Sequence, residues 1–404
     1  MLKVICTTSE RENDDFVGLL FENEYPKVVF PRGYALSSDD QSIRQDIIRL
    51  LSTINKFRDK YEGEEIQAQI GQQYLSFPLL SYQYIIQDFL QHGYYTEKEV
   101  RYIDSSKGKV NWKRTIQQKR PMIDGQNPVY LNFVVRQNKI NDNNLITKIH
   151  EYCVYESFRN LGWLYTLSMP QKPSIPLNKR LFLSVLNDSL KSTNNIEKKN
   201  LFSSMINVIS EADELFNAAR EKAFGVDRFE YVWEALVDYV FGDENKEEFF
   251  PHSVWEIVGT NSFSKVNAPL EPDTIIRYNG SIYIIDAKYY KYGVTHNPEH
   301  LPGTSSIQKQ ITYGEYIERI TSSEKIYNAF VMPFNKRNEK SNYKFVSVGM
   351  AEWKETADKN YEFVLGILID TRHLLNTFSR KNPTEIDALS SLIEESLEEF
   401  RRAK

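Results

Sequence analysis

One stretch of the chain leaves little freedom in how it can fold. Glu271-Pro272-Asp273 is followed by a β-prone segment, then Asn279-Gly280, then the apolar run Ile282–Ile285, and finally Asp286-Ala287-Lys288. Asn-Gly between two such segments is the strongest short-range hairpin signal, because a two-residue type I′ turn requires positive φ at both positions. With this pair at the tip, Tyr278 faces Ser281, Arg277 faces Ile282 and Ile276 faces Tyr283. Continued to its ends, the register sets Asp273 opposite Asp286. Side chains alternate along a strand, so Lys288 projects from the same face as Asp286. The sequence thus predicts two carboxylates and one ammonium at one end of a hairpin.

Like charges across a strand pair destabilise it. Such a pair is tolerated when a divalent cation neutralises it or when one carboxylate holds a proton. Mg²⁺ is usually held by one or two carboxylates with water and substrate phosphate, and Mn²⁺ takes similar ligands. The expected ligands are Asp273, Asp286 and the Ala287 backbone carbonyl. A metal there makes hydroxide from water and offsets charge on a scissile phosphate. Lys288 would orient that water or stabilise the pentavalent phosphorus. Pro-Asp or Asp-x-Lys alone is more often a solvated strand end. The joint occurrence, in register about a hairpin turn, favours a site.

The rest of the chain bounds the setting. Its 404 residues predict two or three domains. With 41% hydrophobic and 26% charged residues it reads as globular rather than disordered. No window approaches eighteen unbroken apolar residues, so no membrane span is expected. The N-terminus lacks a secretory core, and two cysteines, Cys6 and Cys153, supply no disulfide scaffold, so the expected compartment is cytoplasmic. A net charge of −5 excludes a simple polycation but leaves room for local DNA contacts.

The element pattern is α/β (α+β). Short strands such as Lys27–Phe30 precede a helix over Ser42–Tyr61, with Asp39 and Asp40 as candidate caps. A second apolar segment, Leu79–Leu90, stops at His92-Gly93. Strand-like segments follow at Glu99–Ile103, Lys109–Ile116 and Val129–Arg136, and helical periodicity runs from Asn143 to Arg220. Pro170, Pro173 and Pro176 mark a soft boundary. Beyond Val226 the order is helix (Phe229–Phe241), strands (Ser253–Val258, Asp273–Tyr278, Ser281–Ala287), helix (Ser305–Ile320), strands (Ile326–Met332, Phe345–Met350, Phe363–Ile369) and a terminal helix (Pro383–Arg402). The expected domains are residues 1–170 for partner or DNA interaction, a helical connector over 171–225, and a nuclease domain over 226–404.

Pro272-Asp273 and Asp286-Ala287-Lys288 resemble the motif of the PD-(D/E)xK nuclease superfamily. That resemblance implies a mixed sheet of about four strands flanked by helices. It also implies an acidic residue on the preceding helix, where Glu230 and Glu234 share one face and Glu234 is favoured. A Gln and a Tyr on the helix after the lysine are implied as well, here Gln310 and Tyr313, with Gln310 set to hold the attacking water or a DNA phosphate. The segment Lys107-Gly108-Lys109-Val110-Asn111-Trp112-Lys113-Arg114-Thr115-Ile116 narrows the likeness. Together with Phe229–Glu234 and Asp286–Tyr290, it resembles LlaJI-type restriction proteins, relatives of the nuclease subunit of the McrBC system. Membership implies a type II/IV-like restriction endonuclease acting on double-stranded foreign DNA in phage defence. It further implies an AAA+ GTPase partner, McrB-like, whose ring receives the N-terminal half and whose GTP hydrolysis is stimulated. An oligomeric assembly is expected, since cutting both strands needs two active sites. The chain has no G-x-x-x-x-G-K-(S/T) loop, so it does not supply the nucleotide hydrolysis.

Lys109, Lys113 and Arg114 surround Trp112 in a basic-aromatic stretch. Partner contact ranks first for it, strand-edge protection second and DNA contact third. For Trp112 itself, core packing is the expected role. His296 and His300 are expected in a loop near the active-site strand, and His92 and His150 at structural positions. Two other readings compete: a stand-alone repair or mobile-element nuclease of the same superfamily, and a non-catalytic DNA-binding scaffold.

Overall fold

The computed structural model describes residues 4–9, 16–22, 25–58, 77–125, 127–141, 144–166, 168–212, 222–258, 263–321, 325–337, 343–353, 357–377 and 379–403. The expected last turn of the first helix, 59–61, and the tail of the helical stretch, 213–220, lie outside the described residues. The chain forms two compact units, one of residues 1–77 with 221–404 and the other of residues 78–220. This division differs from the sequence boundaries at 170 and 225, and strand pairing is the reason.

The first unit opens with strands β1 (Ile5–Thr8), β2 (Val17–Glu22) and β3 (Tyr25–Phe30), then helix α1 (Asp40–Arg58). Asp39 caps α1, its carboxylate accepting the Ser42 N–H at 2.8 Å. The chain then builds the second unit. Its elements are α2 (Leu79–His92), β4 (Glu97–Asp104), β5 (Lys109–Val110), α3 (Trp112–Gln118), β6 (Met122–Asp124), β7 (Asn127–Val129), β8 (Val134–Asn141), α4 (Leu145–Tyr165), α5 (Lys179–Ser192) and α6 (Ile196–Ala212). The strands form a three-stranded sheet in the order β4-β8-β5 and a β6-β7 hairpin. Here one expectation is corrected. Lys109–Ile116 is not one strand: the Asn111 side chain accepts the Arg114 N–H at 3.1 Å and starts a helix at Trp112. A cap satisfies an otherwise orphaned N–H and outweighs the weak strand preference of this short segment.

On its return the chain adds β9 (Lys222–Val226), antiparallel to β2 with Val17 opposite Val226. The N-terminal strands therefore belong to the same unit as the C-terminal half. Next come α7 (Phe229–Phe241), β10 (Val254–Glu256), β11 (Phe263–Val266), β12 (Thr274–Tyr278), β13 (Ser281–Ala287), α8 (Tyr292–Thr295), α9 (Thr304–Thr321), β14 (Ile326–Phe334), β15 (Phe345–Ala351), β16 (Val364–Asp370), α10 (Thr371–Asn376) and α11 (Pro383–Ala403). The central sheet has five strands in the order β12-β13-β14-β16-β15, mixed in direction. The segment expected as strand 253–258 instead pairs with β11 in a separate ribbon.

Alternation along β13 places helices on both faces of this sheet. Ile282 and Ile284 are buried with Tyr313 and Ile317 of α9. Tyr283 points the other way and donates to Glu394 of α11 at 2.7 Å. All seven residues of β13 are buried, as a strand covered on both faces requires. Burying each large apolar side chain contributes roughly 1.5–3 kcal/mol. No described helix is long and apolar enough to cross a membrane.

Candidate active site

The hairpin forms in the register that Asn279-Gly280 dictates. Tyr278 faces Ser281, Arg277 faces Ile282 and Thr274 faces Ile285. Asn279 and Gly280 adopt φ of 49° and 79°, the left-handed pair a type I′ turn needs. One step beyond the last paired residues, Asp273 Oδ2 accepts the Ala287 N–H at 2.8 Å. This bond fixes the Asp273 carboxyl beside the end of β13, where Asp286 is buried. Lys288 closes the group. Its Nζ donates to Asp286 Oδ1 at 3.0 Å and stands 2.8 Å from Oδ2. Oδ2 faces that ammonium out of hydrogen-bonding alignment and has no hydrogen-bond donor among the described residues.

The electrostatics follow from burial and crowding. Burial pushes the Asp273 carboxyl well up, and Asp286 and Glu234 push it further against the Ala287 N–H. Burial works to lower Lys288, but Asp286 and Asp273 outweigh it and hold the ammonium protonated. Glu234 on α7 is raised to about 7, first by burial and then by Asp286 and Glu230, with Lys288 and Lys309 opposing. Glu234 lines the same cleft as Lys288. Glu230, one turn earlier, is turned toward Arg228, whose Nε it accepts at 2.7 Å.

Helix α9 covers the same face. The Tyr313 hydroxyl donates to the Glu271 carbonyl at 3.0 Å, and its phenol is pushed up by burial and then by Asp286 and Asp273. Gln310, nearly one turn earlier, is fully buried, and neither its amide oxygen nor its nitrogen has a partner among the described residues. Its backbone carbonyl accepts from Asn328 at 3.0 Å. No hydrogen bond among the described residues ties the Gln310 amide to the acids.

The donor set suits Mg²⁺. Two oxygen-bearing side chains converge, and Asp286 Oδ2, beside the Lys288 ammonium, accepts no hydrogen bond among the described residues. Among the described residues no group of three or more His, Cys, Asp or Glu closes on a point. An ion that keeps several waters and completes its shell with phosphate fits such a site better than one needing a full protein cage.

A cleft opens beside Lys288, walled by Glu230, Glu234 and Tyr289 and, from the N-terminal segment, by Ser9 and Arg32. Tyr289 is wedged against Phe229 and Trp233, with ring centroids 5.4 and 6.2 Å away. Ser9 and Arg32 carried no motif in the sequence. They reach the cleft through long-range contacts, the β2–β9 pairing more than two hundred residues apart and the hydrogen bonds of Ser9 and Arg32 to Tyr289.

The remaining candidates lie elsewhere. Lys109, Trp112, Lys113 and Arg114 belong to the other unit. Trp112 does not pack in a core: it is 56% exposed and meets Tyr130 and Phe133 edge-on. The cap at Asn111 turns it outward, which a strand reading did not foresee. Arg114 stacks 3.8 Å over the Tyr102 ring. His296 and His300 sit in short turns after β13, and His300 Nδ1 is 2.6 Å from the Thr295 hydroxyl. His150 is buried and accepts the Tyr95 N–H at 2.9 Å, a structural position.

The profile of the LlaJI restriction endonuclease family matches residues 16–354. The chain is similar to the type II restriction enzyme BsuMI component YdjA of Bacillus subtilis (strain 168), with 25% identity over 254 residues. That match covers 60% of this chain and 55% of the relative, so the chain spans about half the length of the curated relative it matches. Among solved structures it is similar to a chain of the half-complex of Thermococcus gammatolerans McrB AAA+ hexamers with bound McrC. The TM-score is 0.40 and the identity 14%, over 94% of this chain and 83% of that one. A chain of the McrBC complex of the same organism gives a TM-score of 0.20 at 14% identity, over 48% and 58%.

Proposed function

The chain belongs to the LlaJI restriction endonuclease family, a family of restriction-system nucleases, and from that premise we propose that it is the DNA-cutting subunit of such a system. The single observation that carries this reading is the cluster of Asp273, Asp286 and Lys288 at the end of one hairpin, with Glu234 beside it. It is the arrangement of a PD-(D/E)xK nuclease, and its substrate is double-stranded DNA.

Asp273 and Asp286, with the Ala287 carbonyl, would hold a divalent metal. The chemistry a bound Mg²⁺ would supply is activation of the attacking water and compensation of charge on the scissile phosphate. The chain's own residues do the rest. The Ala287 N–H orients Asp273. Lys288, held protonated, donates toward the phosphate and stabilises the charge that grows on it. Glu234, its carboxyl raised to about 7 by burial, takes up or returns a proton there as water is consumed. Gln310 offers a buried amide with unused donor and acceptor capacity to the water or to a DNA phosphate. Tyr313 keeps the start of β12 in place by gripping the Glu271 carbonyl.

The partner in this proposal is a GTP-hydrolysing AAA+ ring, and the assembly is oligomeric and cytoplasmic. The second unit presents a surface suited to it. Trp112, Ile116 and Ile123 are each exposed, as are the basic side chains Lys109, Lys113 and Arg114. Exposed apolar side chains rimmed by charge mark contact surfaces.

The test is plasmid cleavage in Mg²⁺ or in EDTA, with and without an McrB-like AAA+ GTPase and GTP. The expected result is cleavage that requires Mg²⁺ and the GTPase. Robust cleavage by the chain alone would favour the stand-alone nuclease. Unchanged restriction in cells carrying a folded Asp286→Ala variant would favour the scaffold.

A further inference from the structure

We propose that Arg32 is a phosphate-binding residue of the active site, its guanidinium holding a DNA backbone phosphate next to the scissile one. The proposal rests on the nuclease reading and adds a subsite supplied by the N-terminal segment. Arg32 lies in the turn after β3. Gly33 beside it has φ of 72°, and a Cβ there would come within 2.9 Å of the Phe334 backbone and the Thr371 hydroxyl. Thr371 in turn donates to the Arg32 carbonyl at 2.9 Å.

The side chain is held as firmly as the backbone. The Arg32 N–H donates to the Tyr289 hydroxyl, and Nη1 donates to the Tyr289 carbonyl, both at 2.6 Å. The guanidinium stacks 4.7 Å over the Tyr289 ring. Those contacts leave its charge unanswered. Arg32 is 7% exposed, and among the described residues its Nε has no hydrogen-bond partner and no carboxylate forms an ion pair with it. Glu230, on the same cleft wall, is taken by Arg228.

A buried cation with no counter-charge is costly, and an arriving anion relieves that cost. The position says which anion. Arg32 lines the cleft of Lys288 and also the adjoining cleft of Lys291 and His300. A strand entering at the acids passes it with its next phosphate. The planar fork of arginine suits phosphate oxygens, and its preset contacts reduce the entropy lost on binding. Such a contact positions the strand without reading its sequence.

The test is DNA affinity as a function of salt, by fluorescence anisotropy in EDTA, for the full chain and its Arg32→Gln and Arg32→Lys variants. The probes are short duplexes of several sequences. Arg32→Gln is expected to weaken binding about tenfold at low salt, equally for every sequence, and to reduce the slope of log K against log salt by about 0.9. Arg32→Lys keeps the slope but loses the two-pronged contact. A folded Arg32→Gln with unchanged slope and affinity overturns the proposal and leaves Arg32 as a brace for Tyr289. Where Arg32→Gln does not fold, a folded Arg32→Lys of wild-type affinity overturns it instead. Absence of salt-dependent DNA binding by wild type both as the lone chain and in the assembled complex removes the nuclease reading itself.

Discussion

Asp273 carries a charge that the fold resists. It is buried beside a second carboxylate and a third lies near, so its ionised form is disfavoured until a cation arrives. Asp273→Asn removes the repulsion while keeping an acceptor for the Ala287 N–H. It is predicted to melt above wild type in EDTA and to lose cleavage; a melting point at or below wild type would contradict this. His150 shows the opposite sign of linkage in the second unit. Burial lowers its imidazole from 6.5 to about 4, so between those values the unfolded chain binds more protons than the folded one. Stability is full above pH 6.5 and falls as pH drops toward 4, by up to about 1.4 kcal/mol per pH unit. Urea unfolding at pH 7 and pH 5 measures it. His150→Asn keeps an acceptor for Tyr95 and is expected to flatten the difference; equal pH sensitivity in both proteins would count against the assignment.

Elements differed in how plainly they could be read. The hairpin was legible because Asn279-Gly280 admits one turn geometry and the period of two then sets every pair. Helix Phe229–Phe241 was legible to the residue, since its apolar face and Gly242 bound it. Strand β9 was not, because its partner β2 lies some two hundred residues away and nothing local announces the pairing. Helix α3 was misread for a local reason: one side-chain cap decided between two weak preferences. Of the candidate site, the acids, Lys288 and Glu234 were legible, while Arg32 and Ser9 depended on long-range contacts. Two substitutions probe these elements. Asn111→Ala removes the cap of α3 and should cost about 1 kcal/mol. Gly280→Ala places a Cβ at φ of 79° and should cost a further 1–2 kcal/mol or so at the hairpin. Both are read from denaturant midpoints at constant m, and a neutral Gly280→Ala would contradict the turn assignment.

At the scale of the molecule, one unit carries the acids and the other the exposed aromatic-basic surface. Changes to that surface should spare the chemistry. Trp112→Ala combined with Arg114→Ala is expected to abolish GTPase-dependent cleavage while the melting point stays near wild type, because these side chains lie mostly outside the core. Saturating Mg²⁺ should raise the melting point of the wild-type chain. Ligand at one hundred times its dissociation constant stabilises the folded state by about 2.7 kcal/mol, and Asp286→Asn should lose that gain. The central claim is that Asp273, Asp286 and Lys288 perform metal-dependent cleavage. Its most direct test is single-turnover DNA cleavage in Mg²⁺, in the assembled complex, by wild type and Asp286→Asn at matched concentration, with melting curves alongside. The predicted result is a loss of at least about a hundredfold in a variant as stable as wild type or more so. Cleavage within about twofold of wild type by the folded variant, where a lost hundredfold corresponds to about 2.7 kcal/mol, would contradict it.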